Sequence, residues 1–237
     1  MAMHKIPFFI GTFISYFVPG RKNRRRVRGW INMFFFYIPI RLFIKRTYGV
    51  RVKTMRFVRQ ISMKRMTCVV NDRYFVKVFR FVPVKRLNEY KFLLDFIRPH
   101  LPVKIPKIFV AQRIPMYVAD KLPGRVMVDF DKQVIMKSEK KIKKQVSEII
   151  TALKSIRVDS IPDNERFVYP IQVRRVGKGI AKNSVLAHCD LNPTNLLLDS
   201  NLKIVSIIDW DSMAIVPDVN KDENGFANLW EKYKKSV

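Results

Sequence analysis

The chain has 237 residues and carries 46 Lys and Arg against 19 Asp and Glu, a net charge of +27. That length bounds the architecture to one two-lobed domain plus an extension, and the charge calls for an anionic partner beyond any need of solubility. Two cysteines and three histidines without ligand spacing exclude a disulfide framework and a zinc site, and fit a reducing compartment.

The first 71 residues hold 16 of the basic side chains and none of the acidic ones; Asp72 is the first acid. Within this stretch Ile6 to Val18 is apolar and aromatic, Arg21, Lys22, Arg24, Arg25, Arg26 and Arg28 form a basic cluster, and Trp30 to Ile40 is apolar again. Neither apolar run reaches the roughly 20 residues of a spanning helix, and Pro7, Pro19 and Pro39 are expected to interrupt regular helix. Residues 1–49 therefore read as a basic, aromatic N-terminal extension inserted at an anionic membrane surface. A helical pair packed on the domain that follows is the alternative. Nucleic-acid binding fits the charge but is the weaker reading, because the aromatics form contiguous blocks rather than spaced stacking platforms. Pro19-Gly20-Arg21-Lys22 offers no small-residue cleavage site for a secretory signal.

Beyond the extension, Met55 to Ile61 and Met66 to Val70 read as strands joined by Ser62, Met63, Lys64 and Arg65, a loop without glycine. Arg73 to Phe81 alternates as a half-buried strand with Lys77 at its middle. From Val84 to Arg98 the residues Leu87, Tyr90, Leu93, Leu94 and Ile97 recur at helical spacing and leave Glu89 off the stripe. Lys107 to Val110 and Pro115 to Ala119 are two further strands, closed by the turn signal of Asp120 to Gly124. Ile142, Val146, Ile149, Ile150, Leu153 and Ile156 make a helical stripe over Ser138 to Ile156, with Ser138 placed as N-cap.

The most informative stretch is Val185 to Asp211. Phosphoryl transfer from ATP needs little covalent work from a protein: a group that orients the attacking hydroxyl, and ligands for magnesium. Asp190 suits the first task, and Asn195 and Asp209 supply hard oxygen ligands for the metal. Asn195 to Leu198 and Lys203 to Ile208 flank the turn formers Asp199, Ser200 and Asn201, so a hairpin is expected to return Asp209 beside Asp190 and Asn195. His188 reads as a brace for this loop. The tail from Ser212 has room for one helix, around Gly225 to Lys235, and Asp211, Asp218, Asp222 and Glu223 are expected as solvated loop acids.

The pattern H-x-D-x-x-x-x-N followed by I-D-W-D resembles the catalytic and metal-binding loops of the aminoglycoside phosphotransferase and choline kinase family. Cys189 and the pair Trp210-Asp211 depart from the H-R-D and D-F-G of protein kinases. The resemblance implies an α+β, two-lobed protein-kinase-like fold, with a small antiparallel-sheet lobe over residues 50–119 and a mainly helical lobe over 120–237. It implies ATP and Mg2+ as cofactors, Asp190 and His188 in the catalytic loop, and Asn195 and Asp209 on the metal. Lys77 would contact the nucleotide phosphates with Glu89 behind it, Ser62 would serve the phosphate loop, and the backbone from Ala119 to Leu122 would face the adenine. The implied acceptor is a hydroxyl of a small molecule or cell-envelope glycan, of sugar or choline type. Kinases of lipopolysaccharide-core sugars are similarly compact, and the implied location is the inner face of a bacterial membrane. A scaffold that has lost turnover is the rival reading, motivated by the glycine-free loop and the short tail.

Overall fold

The computed structural model describes residues 6–58, 65–162, 167 and 183–236. The chain divides into two compact units, Met1–Lys91 with Lys107–Lys121, and Phe92–Pro106 with Leu122–Val237.

The first unit opens with α1 (Ile6–Tyr16) and α2 (Arg21–Tyr48). The expectation that proline would interrupt regular helix holds at Pro19, between α1 and α2, and is corrected at Pro7 and Pro39. Pro7 falls in the first turn of α1, where its missing N–H would be unbonded anyway, and Pro39 lies inside α2. Helix α2 is bent by 51° between Arg26–Asn32 and Phe34–Tyr48. Gly49 ends α2 at φ 68°, a left-handed cap whose N–H donates to the Lys45 carbonyl at 2.9 Å. Among the described residues no single helix is long and apolar enough to cross a membrane.

A five-stranded antiparallel sheet follows, built from β1 (Met55–Phe57), β2 (Arg65–Val70), β3 (Tyr74–Phe79), β4 (Ile108–Val110) and β5 (Met116–Asp120) in the order β1-β2-β3-β5-β4. Helix α3 (Val84–Ile97) leaves β3 and buries the predicted stripe of Leu87, Tyr90, Leu93, Leu94 and Ile97. Phe36, Ile40 and Ile44 of α2 enter the same hydrophobic core as Met66, Val76 and Val118 of the sheet. One side of α2 is thus part of the unit's interior, as the packing alternative for the extension expected. The loop that would hold Ser62 lies outside the described residues.

The second unit contains β6 (Arg125–Val126), α4 (Lys132–Lys137), α5 (Glu139–Ser155), β7 (Val185–Ala187), β8 (Leu196–Leu198), β9 (Ile204–Ile207), β10 (Ala214–Val216) and α6 (Lys221–Lys235). Hairpin β8–β9 pairs with β6, and the backbone of Lys104 bonds along β9. Helix α5 buries Ile142, Val146, Ile149, Ile150 and Leu153 as the periodicity required. Ser138 precedes it but makes no side-chain capping bond, whereas Asp131 caps α4 by accepting from the N–H groups of Gln133 and Val134. Gln145 of α5 grips the hairpin turn: its amide oxygen accepts from Ile204 N–H at 2.8 Å and its amide nitrogen donates to the Leu202 carbonyl at 3.2 Å. Gly124, at φ 101°, lets the chain into β6 so closely that an added Cβ would lie 2.8 Å from Val205 Cγ2 and 2.9 Å from Leu197 Cβ.

Two substitutions test this packing. Ile40→Ala is expected to destabilise the protein by about 3 kcal/mol in urea unfolding, the cost of truncating a buried aliphatic side chain, although it lies in the supposed extension. Gly124→Ala is expected to cost about 2 kcal/mol through overpacking and backbone strain together.

Candidate active site

The polar residues singled out in Val185 to Asp211 fall in the second unit, on two loops carried by short strands. One loop joins β7 to β8 and holds His188, Asp190 and Asn195; the other joins β9 to β10 and holds Asp209. Antiparallel pairing of β7 with β10 and of β8 with β9 returns the second loop to the first. The registration is direct: Ile208 N–H donates to the Asn195 carbonyl at 3.0 Å, one residue before Asp209.

Asp190 is half-buried, and both carboxylate oxygens accept from amides. Asn192 Nδ2 donates to Oδ1 at 3.0 Å, and Asn195 Nδ2 donates to Oδ2 at 3.3 Å. Both amides also donate to the Asp190 carbonyl, at 2.9 and 2.8 Å. Asn192 in turn accepts at Oδ1 from the backbone N–H and the hydroxyl of Thr194. The loop is thereby closed around a carboxylate held in one orientation. Asn192 was not singled out from the sequence, although Asn-Pro-Thr is a side-chain-bonded turn signal.

His188 is fully buried. Its Nε2 lies 3.2 Å from the Ile208 carbonyl, and its Nδ1 accepts from Asp190 N–H at 3.3 Å. One form satisfies both contacts, the neutral ring protonated at Nε2. The ring also packs on Trp210 with centroids 4.5 Å apart, and Trp210 Nε1–H donates to the Ile207 carbonyl at 3.0 Å. His188 therefore clamps the loop of Asp190 to the loop of Asp209, and its proton is committed to that bond.

The strongest brace comes from Asp222, expected as a solvated acid and found buried in the first turn of α6. Its carboxylate accepts from His188 N–H at 2.7 Å and from Cys189 N–H at 2.8 Å. Cys189 stands at φ 62°, a left-handed conformation that turns successive N–H groups toward one anion. Burial pushes the Asp222 carboxyl above its ordinary range, against the two N–H groups that pull it down. Burial likewise pushes the Cys189 thiol up to about 12, which leaves it protonated and unreactive. Asp211 is also buried, and Glu223 pairs with Lys154, so of the four acids expected at the surface Asp218 alone is exposed.

Asn195 and Asp209, the predicted metal ligands, suit a hard cation. The Asn195 amide spends its nitrogen on Asp190, and among the described residues no donor reaches its oxygen, which leaves that oxygen for a ligand. Asp209 stands at φ 59°, ψ 51° and does not cap the helical turn of Trp210–Ser212 that follows it. No group of three or more His, Cys, Asp or Glu gathers among the described residues. Magnesium takes one or two protein oxygens and completes its shell from phosphate and water.

In the first unit Lys77 lies on β3 with its Nζ 5.9 Å from the Tyr117 ring centroid. Glu89 lies on α3 and accepts from Arg86 Nη1 at 3.0 Å, a partner the sequence reading did not anticipate. Ala119 sits in register with Phe75 of β3 and Ile108 of β4, and Lys121 N–H donates to the Arg73 carbonyl at 2.7 Å. Ala119 shares its parity with Lys121, so its backbone groups also face β3. Those of Asp120 point the other way. Leu122 begins the second unit.

Neither a protein-family model nor a curated protein sequence matches the chain. Solved structures do match. The GDP complex of aminoglycoside 2'-phosphotransferase-IIIa aligns at TM-score 0.60 and 15% identity, covering 84% of this chain and 83% of that one. Macrolide 2'-phosphotransferase MphH from Brachybacterium faecium aligns at 0.58 and 19%, covering 83% and 82%. APH(2")-IIa in its ternary complex with streptomycin and ATP aligns at 0.53 and 16%, covering 78% and 73%. The chain has the fold of these phosphotransferases. It is the α+β, two-lobed protein-kinase-like fold that the motif implied.

Replacing Asp222 tests the brace. Asp222→Ala leaves two buried N–H groups without an acceptor and is expected to cost about 3 kcal/mol, read in urea unfolding. The raised carboxyl also fixes a pH dependence: the folded state keeps this proton after the unfolded chain, with its ordinary value of 3.8, has lost it. The associated stability is full below that value and falls as pH rises through the folded one. The stability gap between wild type and Asp222→Asn is expected to shift in that direction, measured by Tm against pH.

Proposed function

We propose that this protein is an ATP- and magnesium-dependent phosphotransferase that moves the γ-phosphoryl group to a hydroxyl of a small molecule or cell-envelope glycan. The observation that carries the reading is the Asp190 carboxylate, aimed by Asn192 and Asn195 on a loop that His188 and Asp222 lock in place. A carboxylate held in this way accepts the acceptor's hydroxyl proton and keeps its oxygen in line for attack, the positioning work that dominates phosphoryl transfer.

Asn195 and Asp209 would hold the metal, and magnesium, when bound, neutralises charge on the transferring phosphate. Lys77, on the strand where the fold places a phosphate-binding lysine, is assigned to the α- and β-phosphates. Burial of Asp211 and Asp222 removes two of the acids that could have met a cationic acceptor. Asp218 stays exposed, and sugar-type and choline-type hydroxyls both remain within the reading. The related structures carry GDP, ATP and aminoglycosides, which supports a nucleotide and a small hydroxylated acceptor in this fold. We place the reaction at the inner face of a bacterial membrane, where the basic N-terminal segment meets anionic lipid.

The test is ADP release with magnesium-ATP and a panel of sugars, envelope glycans and choline. Asp190→Ala and Asp209→Ala are each expected to lower turnover by roughly 100- to 10,000-fold while circular dichroism stays unchanged. Turnover that survives either substitution overturns the assignment.

A further inference from the structure

The α1–α2 pair has two unlike faces. Phe36, Ile40 and Ile44 of α2 are at most 2% exposed, against the sheet. On another side of the same helix Phe34, Ile38 and Leu42, each four residues from the last, form a ridge in which Phe34 is 79% exposed, and Trp30 is exposed on the other side of the bend. Phe13, Tyr16 and Phe17 at the end of α1 add a second exposed aromatic group, with Phe17 at 77%. Isolated exposed apolar residues are ordinary, but a contiguous ridge of them marks an interaction surface.

We propose that this solvent-facing side of α1 and α2 docks on an anionic lipid bilayer, lying in its interface without crossing it. The proposal deepens the membrane placement above by naming the face that touches lipid. Charge selects the partner. The ridge is adjoined by the six basic residues between Arg21 and Arg28, and no acid occurs before Asp72. Two copies of so basic a segment repel each other, which disfavours a homodimer. Ile38 and Leu42 offer nothing to a nucleic-acid base, whereas a ridge of mixed aromatic and aliphatic side chains beside arginines matches an interfacial helix. The core-facing residues exclude a spanning arrangement, because lipid cannot surround a helix with one side inside the protein.

The platform is fixed. Gly11 of α1 lies against Arg28 and Asn32 of α2, where an added Cβ would meet the Arg28 carbonyl and Asn32 Oδ1 at 3.4 Å, ordinary van der Waals contact. Arg80, just beyond β3, stacks its guanidinium 4.1 Å from the Phe9 ring centroid and 4.6 Å from that of Phe81, tying α1 to the sheet.

Trp30 provides the readout, since Trp210 and Trp230 are buried. With phosphatidylcholine vesicles containing phosphatidylglycerol, and no nucleotide, the full chain is expected to cosediment and to show a blue-shifted Trp fluorescence quenched by brominated lipid. Pure phosphatidylcholine should bind less, and salt should weaken binding to the anionic vesicles. The double substitution Phe34→Ser with Ile38→Ser is expected to lower partition at least about tenfold at unchanged Tm, as both side chains are exposed. Vesicle binding absent in wild type, or equal in the variant, overturns the proposal. A dimer abolished by the variant would assign the face to a second copy, and lipid-independent binding of duplex DNA would assign it to nucleic acid. Because the vesicle experiment contains neither ATP nor acceptor, its failure leaves the phosphotransferase reading standing, and loss of turnover leaves docking untouched.

Discussion

One buried carboxylate organises the chemistry of this protein. Asp222, delivered by the first turn of α6, takes the consecutive N–H groups of His188 and Cys189 and so fixes the backbone from which Asp190 projects. The cost is real, because burial of an anion is unfavourable and Cys189 must hold a left-handed backbone. What it secures is a loop whose position no longer depends on solvent. Everything downstream follows from that anchorage: the His188 ring can reach the carbonyl before Asp209, Trp210 can pack on it, and two amides can aim the Asp190 carboxylate. The helix that follows β10 thus holds the loop that carries Asp190.

The helices and the motif were legible in the sequence for physical reasons. Leu87 to Ile97 and Ile142 to Leu153 repeat at the period of a helix with one buried face, and α3 and α5 were found there with ends shifted by a residue or so. His188, Asp190, Asn195 and Asp209 stood out because phosphoryl transfer restricts which side chains can serve and at what spacing. Asp222 did not stand out, because its partners are backbone groups 33 and 34 residues away, and no periodicity encodes such a contact. A readable clue was its position one turn ahead of the apolar Phe226 and Trp230, which would have started α6 earlier than Gly225. The direction of the Ala119 backbone groups did not stand out for a related reason. Strand parity decides where a backbone N–H points, and it is set by the register with β3, which the sequence alone does not give.

The N-terminal segment shows how two readings of one composition can both have a physical basis. A block of aromatic and aliphatic residues is compatible with a core and with a lipid surface, and α2 presents one side to each. The exposed set Phe34, Ile38 and Leu42 and the buried set Phe36, Ile40 and Ile44 lie about 160° apart around the helix axis. Within the basic cluster, Arg24 Nε donates to the Val18 carbonyl at 2.9 Å and Arg28 Nε to the Arg24 carbonyl at 3.3 Å.

The central claim is that Asp209 and Asn195, on loops held by Asp222 and His188, form a working nucleotide-metal site. The most direct measurement is the thermal shift produced by ATP with and without magnesium, in wild type and in Asp209→Ala. Magnesium-dependent stabilisation of the wild type that disappears in Asp209→Ala is the predicted result. No stabilisation of the wild type by ATP under either condition would contradict the account and leave the fold as a scaffold.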